Sequence, residues 1–283
     1  LLIEDLPGMG KTTLAHTLAK TLSLSYQRTQ FTSDLLPSDV IGISIFNSET
    51  KLFELHKGPI FNQVILADEI NRASPKTQSA LLEAMAENQV SIDGITHELP
   101  DPFFVIATQN PLFNAGTYPL PESQLDRFMM RISLGFPNVE AEKNILLSSS
   151  IRSTATADMP DIISVNTLVS MQNIIQKVHA SDSIIDYIIA LCRVSRGQNA
   201  LNNEDKIVCN PLSPRAGKAL LSAARAWAFI DNRDYLLPDD IKAVFYSVCE
   251  HRLALNITEQ LDASHSISQR ILDAVNVLNP LNV

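Results

Sequence analysis

The sequence predicts an α/β protein, in which a core with a five-stranded parallel sheet is followed by a helical domain. Over residues 1–136, short apolar runs alternate with segments of helical periodicity, which is typical of a parallel sheet covered by helices on both faces. The run at 64–67 is apolar at every position, as expected of a strand buried on both faces. Beyond residue 137 the pattern is helical. We therefore predict an α/β core over 1–136 and a helical domain with its connecting segment over 137–283.

The predicted strands lie near 1–5, 27–32, 63–67, 103–108 and 129–134, and the predicted helices that alternate with them near 11–22, 75–87 and 139–150. The carboxyl ends of parallel strands meet at one edge of a sheet, so the residues that follow each strand are candidates for a ligand site. The first strand starts at residue 1, and we therefore expect the complete protein to have residues before it.

The first strand leads into a loop with the pattern of a phosphate-binding site, formed by Pro7, Gly8, Met9, Gly10, Lys11, Thr12 and Thr13. Gly8 and Gly10 allow the backbone to curl so that successive N–H groups point at an anion, and the following helix adds the positive end of its dipole. Lys11 is predicted to reach the β- and γ-phosphates of ATP, and the Thr12 hydroxyl to bind Mg²⁺. The general pattern has glycine where this chain has Asp5, which is a departure.

Two adjacent carboxylates, Asp68 and Glu69, follow the apolar run at 64–67. At the carboxyl edge of a sheet, one carboxylate can hold Mg²⁺ through water and the next can polarise an attacking water. We therefore predict that Asp68 is a magnesium ligand and that Glu69 is the general base. An exposed acidic strand end is the alternative, which the phosphate-loop pattern upstream disfavours.

Two segments that interrupt the alternation have the pattern of β-hairpins. Residues 43–55 alternate on either side of a polar turn, and residues 89–99 contain Asp93-Gly94, the signal of a type I′ turn. Each hairpin is either ordinary decoration of the sheet or an element that faces a substrate or partner.

The helical domain is predicted from helix starts and apolar spacing. Residues 148–160 are rich in Ser, Thr and Ala and indicate a loose connection. Ser213-Pro214 is a helix start with Ser as the cap, and Leu237-Pro238 opens another helix. In the helix that Ser213-Pro214 opens, helical spacing places a set of apolar residues on one face, namely Ala219, Leu220, Ala223, Ala224, Trp227 and Ala228. Trp227 is predicted to pack on this face rather than to bind a ligand.

Composition excludes some classes of protein. A net charge of −9 and a pI near 5.1 argue against a broad nucleic-acid-binding face. The sequence has no apolar run near the ~20 residues of a membrane span. Three cysteines, odd in number and far apart, indicate free thiols in a reducing compartment, so we expect a cytoplasmic protein.

Several short motifs in order resemble the MoxR family of AAA+ ATPases, in the helix-2-insert branch. The resemblance covers nearly the whole chain, and a phosphate loop that begins Glu4-Asp5 is common in that family. The remaining motifs are Asp68-Glu69-Ile70-Asn71-Arg72-Ala73, Ala107-Thr108-Gln109-Asn110-Pro111, Leu120-Pro121-Glu122, Leu125-Asp126-Arg127-Phe128, Ser213-Pro214-Arg215-Ala216 and His251-Arg252-Leu253.

The resemblance implies a P-loop core and a helical lid domain that together hydrolyse ATP to ADP and phosphate with Mg²⁺. It also implies a homo-hexameric ring with a chaperone-like role, which remodels or activates a protein partner that often carries a von Willebrand factor A domain. Asn110, at the end of a predicted strand, would orient the lytic water beside Glu69. Arg127 would act as an arginine finger on a neighbour's γ-phosphate. Arg215 would be the sensor 2 residue of the lid.

Alternatives stay open at this point. Asn110 could be a turn residue, and Arg127 and Arg215 could form surface salt bridges; Arg72 and Arg131 are nearby cations that could be confused with them. The chain could instead be the ATPase subunit of a metal chelatase, a nucleic-acid motor of the same branch, or a scaffold that binds ATP and scarcely hydrolyses it. The acidic composition argues against the motor, and the intact set of site residues argues against the scaffold.

Overall fold

The structure is a computed structural model that describes residues 1–110, 116–147, 162–198, 207–254, 266–278 and 280–281. The connection that the sequence predicts at 148–160 lies outside the described residues. The strands are β1 (Leu2–Glu4), β2 (Tyr26–Gln30), β3 (Gly42–Asn47), β4 (Leu52–Lys57), β5 (Val64–Asp68), β6 (Gln89–Ile92), β7 (Ile95–Glu98), β8 (Phe104–Gln109) and β9 (Arg131–Ile132).

The helices begin and end close to where the sequence predicts them in the first part of the chain. They are α1 (Lys11–Thr21), α2 (Pro37–Ile41), α3 (Pro75–Glu87), α4 (Glu122–Leu125), α5 (Val139–Leu147), α6 (Val165–Gln176), α7 (Asp182–Ser195), α8 (Pro214–Ile230), α9 (Pro238–Leu253) and α10 (Ile267–Asp273). Within the described ranges, every helix is too short or too polar to cross a lipid bilayer.

A five-stranded sheet with the order β2-β5-β8-β1-β9 confirms the predicted α/β fold. Strands β2 and β5, β5 and β8, and β1 and β8 pair in parallel. Every residue of β5 is buried, which explains its uninterrupted apolar pattern. Glu4 lies opposite Gln109, and Gln30 lies opposite Asp68, so four strands end at the same edge. This edge receives the phosphate loop and the acidic pair.

Helix α1 packs on the sheet through small residues. Ala15 and Ala19, one turn apart, are buried against Ile3, Leu66 and Ile106. Methyl side chains let the helix axis approach the strands closely, and this brings the start of α1 next to the end of β1. The backbone of the phosphate loop is thereby held between two buried elements.

Both predicted hairpins are present. β3 pairs with β4 in antiparallel register, and β6 pairs with β7. Asp93 and Gly94, with φ values of 51° and 81°, form the turn with two left-handed residues that the sequence predicts. The first hairpin carries exposed apolar side chains, including Phe46 and Phe53, which lie opposite each other with ring centroids 5.4 Å apart.

The chain contains two compact units, of which the first consists of residues Leu1–Arg127 and Ile132–Val169 and the second of Phe128–Arg131 and Ser170–Val283. In the second unit, α8 begins as predicted, since the Ser213 hydroxyl accepts a hydrogen bond from the Ala216 N–H. The sequence boundary after residue 136 stays a prediction.

The apolar face of α8 is largely confirmed, because Leu220, Ala223, Ala224 and Ala228 are buried. The packing predicted for Trp227 is wrong: its side chain is 47% exposed. Trp227 lies near the end of α8, which terminates at Ile230. Helical spacing indicates which face a residue lies on, but it does not indicate where along the helix the packed core ends.

The end of α9 holds the backbone of residues 128 and 129 within the second unit. The His251 Nε2 lies 3.2 Å from the Phe128 carbonyl oxygen, and the Arg252 guanidinium donates to the carbonyls of Phe128, at 2.6 Å, and Met129, at 3.3 Å. Both side chains are buried. Buried carbonyl groups need such donors, since an unpaired one is costly.

His251 predicts a pH dependence of stability. Burial, with the cations Arg252 and Arg131, lowers the pKa of His251 to about 3. In the unfolded chain the pKa of histidine is about 6.5, so between these values the unfolded state binds more protons and stability falls as the pH falls. The expected loss is about 1.4 kcal/mol per pH unit, or about 2 kcal/mol at pH 5.

Urea unfolding at pH 7 and pH 5, followed by the fluorescence of the single tryptophan, Trp227, measures this loss in the unit that contains His251. The control is His251→Gln, whose amide can donate to the Phe128 carbonyl but does not titrate. The variant should lose about 2 kcal/mol less than the parent between the two pH values. Equal losses would show that His251 is not the group responsible.

Candidate active site

The loop between β1 and α1 has the backbone of an anion-binding loop. Gly8 and Gly10 both have φ of +85°, a conformation that glycine adopts without strain. Gly10 is the N-cap of α1, without a side-chain cap, and the first turn of the helix has no acidic residue. The N–H groups at the start of a helix have no partners within the helix and carry its positive dipole end. This end of α1 therefore suits an anion.

Lys11 is buried at the base of this loop. Its ammonium group donates to the main-chain carbonyl of Asp5 at 2.6 Å, to the carbonyl of Leu6 at 3.3 Å and to Asn110 Oδ1 at 3.0 Å. Burial lowers the pKa of Lys11 below its usual value, and nearby carboxylates, of which Asp5 has the largest effect, oppose that shift. The three contacts hold the cation between β1 and the end of β8.

Asp68 ends β5 and is almost fully buried. Its Oδ1 accepts a hydrogen bond of 2.6 Å from the Thr108 hydroxyl. Its Oδ2 accepts two from the guanidinium of Arg28, at 2.7 Å from Nη2 and 3.1 Å from Nε. With two donors from Arg28 on one oxygen and a hydroxyl donor on the other, the carboxylate has a well-defined orientation.

Glu69 follows in a left-handed backbone conformation, with φ of 56° and ψ of 50°. This conformation costs a non-glycine residue on the order of 1–3 kcal/mol and is frequent at functional sites. The Glu69 Oε1 accepts a hydrogen bond of 2.8 Å from the Asn110 amide, and Oε2 accepts one of 3.0 Å from the Gln30 amide. Oε2 also pairs with Arg72 Nε at 3.0 Å. Glu69 is thus held by two amides and one guanidinium.

Asn110 joins the two halves of the site. Its amide oxygen accepts from Lys11, and its amide nitrogen donates to Glu69. The side chain is buried at the end of β8. The structure therefore brings together four of the predicted residues, namely Lys11, Asp68, Glu69 and Asn110.

Arg28, Gln30 and Thr108 are residues of this site that sequence reasoning missed. Arg28 and Gln30 are two positions apart on β2 and so share a face, and β2 pairs directly with β5. The polar character of both residues is visible in the sequence, but the adjacency of β2 to β5 is not. Thr108 lies within the motif around Asn110, and its hydroxyl also accepts a hydrogen bond of 2.9 Å from the Glu69 N–H.

The two other predicted arginines lie elsewhere in the chain. Arg127, in the first unit, donates to the Leu82 carbonyl in α3 at 3.2 Å. Arg215 is exposed in the first turn of α8, in the second unit. Their roles as arginine finger and sensor 2 stay predictions.

The donors at this edge fit a magnesium ion that is bound together with phosphates. In the described residues, there is no group of three or more His, Cys, Asp or Glu side chains that could hold a metal by itself. Mg²⁺ in phosphate sites takes one or two protein oxygens and completes its shell with water and phosphate. The Thr12 hydroxyl at the start of α1 and the Asp68 carboxylate are oxygen donors of that kind.

The chain is similar to known proteins along most of its length. The family model described as the ATPase family associated with various cellular activities (AAA) matches residues 1–130, and an AAA lid domain model matches residues 200–272. The uncharacterized protein YeaC of Bacillus subtilis is 43% identical over 279 residues, which are 98% of this chain and 85% of that protein. Chaperone MoxR1 of Mycobacterium tuberculosis is 37% identical over 279 residues, which are 97% of this chain and 73% of that protein.

A solved structure has the same fold. It is the crystal structure of a protein from Cytophaga hutchinsonii, proposed to be an ATPase, with a TM-score of 0.85 and 43% identity, and the match covers 97% of this chain and 84% of that one. The family models and the solved structure therefore both indicate an ATPase.

Proposed function

Since the chain belongs to the MoxR family of AAA+ ATPases, we propose that it hydrolyses ATP with Mg²⁺ as a hexameric ring that remodels or activates a protein partner. The observation that carries the catalytic part is the chain of contacts from Lys11 through Asn110 to Glu69. It links a cation for the phosphates to a carboxylate for the attacking water through one amide. Such a set serves phosphoryl transfer, in which positioning and electrostatics supply most of the catalysis.

Each group has a distinct task in this proposal. The loop from Pro7 to Thr13 binds the phosphates. Lys11 keeps its contact with the Asp5 carbonyl, at 2.6 Å, and exchanges its longer contact with the Leu6 carbonyl, at 3.3 Å, for phosphate oxygens. Thr12 and Asp68 hold Mg²⁺, which neutralises phosphate charge when bound. Asn110 orients the water, and Glu69 accepts its proton.

The contacts of Glu69 define the orientation of its carboxylate. Donors from Gln30 and Arg72 both reach Oε2, and the Asn110 amide donates to Oε1. The group that accepts the proton of water in this proposal is therefore positioned by three neighbouring side chains.

The assembly and partner also belong to the proposal. Arg127 and Arg215 supply positive charge to the γ-phosphate, Arg127 from a neighbouring subunit, and this makes a ring necessary for turnover. The partner is a protein, of the kind that carries a von Willebrand factor A domain, and the net charge of −9 disfavours nucleic acid. We place the protein in the cytoplasm, because Cys192, Cys209 and Cys249 are all free.

Capture with the Glu69→Gln variant tests the role in remodelling. This variant should keep ATP bound, so with ATP and Mg²⁺ it should retain a partner from a lysate that it releases with ADP. In this proposal the β6–β7 hairpin contacts the partner, so shortening its turn at Asp93-Gly94 should reduce capture at least about tenfold. The protein should stay folded, because an exposed two-residue turn contributes little burial. With Glu69 intact, the variant with the shortened hairpin should keep its basal ATP hydrolysis within about twofold, because β6 and β7 form a two-stranded sheet separate from the five-stranded sheet that carries the site.

Lys11→Ala is the control for this capture, since without bound ATP it should retain no partner. The remodelling role is contradicted if capture is the same with ATP and ADP. Unfolding of the shortened variant would instead assign the hairpin a structural role.

A further inference from the structure

Asp5 makes contacts that the glycine of the general phosphate-loop pattern could not make. Its Oδ2 accepts hydrogen bonds from the Leu134 N–H at 2.5 Å, the Gly135 N–H at 3.1 Å and the Ser133 hydroxyl at 3.0 Å. Its Oδ1 accepts from the Leu6 N–H at 3.2 Å. The departure from the pattern therefore places a carboxylate among four neutral donors.

Three of the four donors belong to the segment 133–135, which follows β9 directly. Gly135 has φ of +66°, and the consecutive N–H groups of residues 134 and 135 point at the same oxygen. Successive N–H groups of this kind form a small anion-binding concavity, which the Asp5 carboxylate fills. Strand β9 has only two residues, so few ladder bonds hold this segment. The Asp5 carboxylate adds three bonds at that point.

The main chain of Asp5 contacts the phosphate loop at the same time. Its carbonyl accepts the shortest hydrogen bond of the Lys11 ammonium group, at 2.6 Å. Its N–H donates to the Gln109 carbonyl at 3.3 Å, which continues the pairing of β1 with β8. Asp5 is therefore fixed by β8 on one side and by residues 133–135 on the other, and its carbonyl accepts a hydrogen bond from Lys11.

We propose that Asp5 is a positioning residue for nucleotide binding, whose carboxylate fastens the phosphate loop to residues 133–135 and thereby fixes the carbonyl that aligns Lys11. The inference rests on the phosphate-binding role proposed for Lys11. It assigns Asp5 an effect on ATP affinity and little effect on the hydrolysis step, because the groups that act on water, Glu69 and Asn110, lie at the ends of β5 and β8. The carboxylate also opposes the lowering of the pKa of Lys11 more than any other charge does.

The test measures binding of a fluorescent ATP analogue and steady phosphate release in Asp5→Asn. Asparagine has the same shape but loses the charge and turns an NH₂ group toward N–H donors. The Kd and KM should rise about tenfold, since charge-assisted hydrogen bonds are roughly twice as strong as neutral ones, and kcat should stay within about twofold. Asp5→Gly, which restores the general pattern, should show the same split.

Asp39→Asn is the matched control. Asp39 accepts a hydrogen bond of 2.8 Å from the Leu36 N–H at the start of α2, so the same exchange removes a similar local bond. Its KM should equal that of the parent. A tenfold rise in the KM of Asp39→Asn would show that general destabilisation explains the effect, and would overturn the proposal.

A double-mutant cycle with Ser133→Ala tests the contact itself. Removing the hydroxyl should raise Kd about two- to threefold in the parent and leave it unchanged in the Asp5→Gly background, because coupled groups are not additive. An equal effect of Ser133→Ala in both backgrounds, or parent-like affinity in Asp5→Asn, overturns the inference. If Lys11→Ala binds ATP as the parent does, the proposed function fails instead, and the two outcomes are distinct.

Discussion

Replacing Glu69 by glutamine is expected to abolish ATP turnover and to leave ATP binding intact. Glutamine can still accept from Asn110 through its amide oxygen, while its NH₂ group replaces the oxygen that accepts from Gln30 and Arg72, and it cannot accept a proton from water. A general base contributes about 10²–10⁴-fold, and a loss of that size in kcat is expected with an unchanged Kd for ATP. Single-turnover hydrolysis and equilibrium binding of a fluorescent ATP analogue measure the two quantities separately.

Lys11→Ala is the complement, because Lys11 is assigned to the binding of phosphate in the ground state, whereas Glu69 acts on water. This variant should lose detectable ATP binding, and its folding should be checked by urea unfolding because Lys11 is buried. The pair separates binding from chemistry. Hydrolysis by Glu69→Gln at the parent rate would show that another group activates water.

Arg127→Ala is expected to bind ATP almost normally and to hydrolyse it at least about 10³-fold more slowly, as is found when an arginine finger is removed. In the structure, Arg127 donates to the Leu82 carbonyl in α3, within its own unit. The proposal places its action on the nucleotide of a neighbouring subunit. ATP affinity, kcat and the mass of the assembly are the measurements.

Mixing Arg127→Ala subunits with Lys11→Ala subunits tests action across the subunit boundary. In a mixed ring, some interfaces pair an intact phosphate loop with an intact arginine, so turnover should rise above that of either variant alone. Native mass spectrometry establishes that mixed rings form. Mixed rings without recovered turnover would contradict the assignment in trans. Arg131→Ala, which removes a nearby arginine from β9, is the comparison for nonspecific loss of positive charge.

The parts of this fold that depend on local patterns could be predicted from the sequence. The phosphate loop requires two left-handed glycines, the acidic pair follows an uninterrupted apolar strand, and Asp93-Gly94 specifies its turn. Parallel strands end at one edge, and for that reason the sequence predicts that Lys11, Asp68, Glu69 and Asn110 lie close together.

The rest depends on which strands are neighbours. Arg28 and Gln30 reach Asp68 and Glu69 only because β2 lies beside β5, and two hydrophilic residues on an edge strand do not show that adjacency. The departure at Asp5 is visible in the sequence, but the partners of Asp5 at 133–135 follow it by about 130 residues. Sequence spacing carries no information on contacts so distant along the chain.

The four residues Phe128–Arg131 bear on how this protein can evolve. They belong to the second unit, although residues of the first unit stand on both sides of them in the sequence. Recombination that replaced only the C-terminal part of the gene would join a foreign α9 to these four residues. The carbonyls of Phe128 and Met129 would then lose the donors His251 and Arg252, which would cost about 1–3 kcal/mol at the buried Phe128 carbonyl. Residues 128–131 and the end of α9 should therefore be inherited together, although they are encoded in separate parts of the gene.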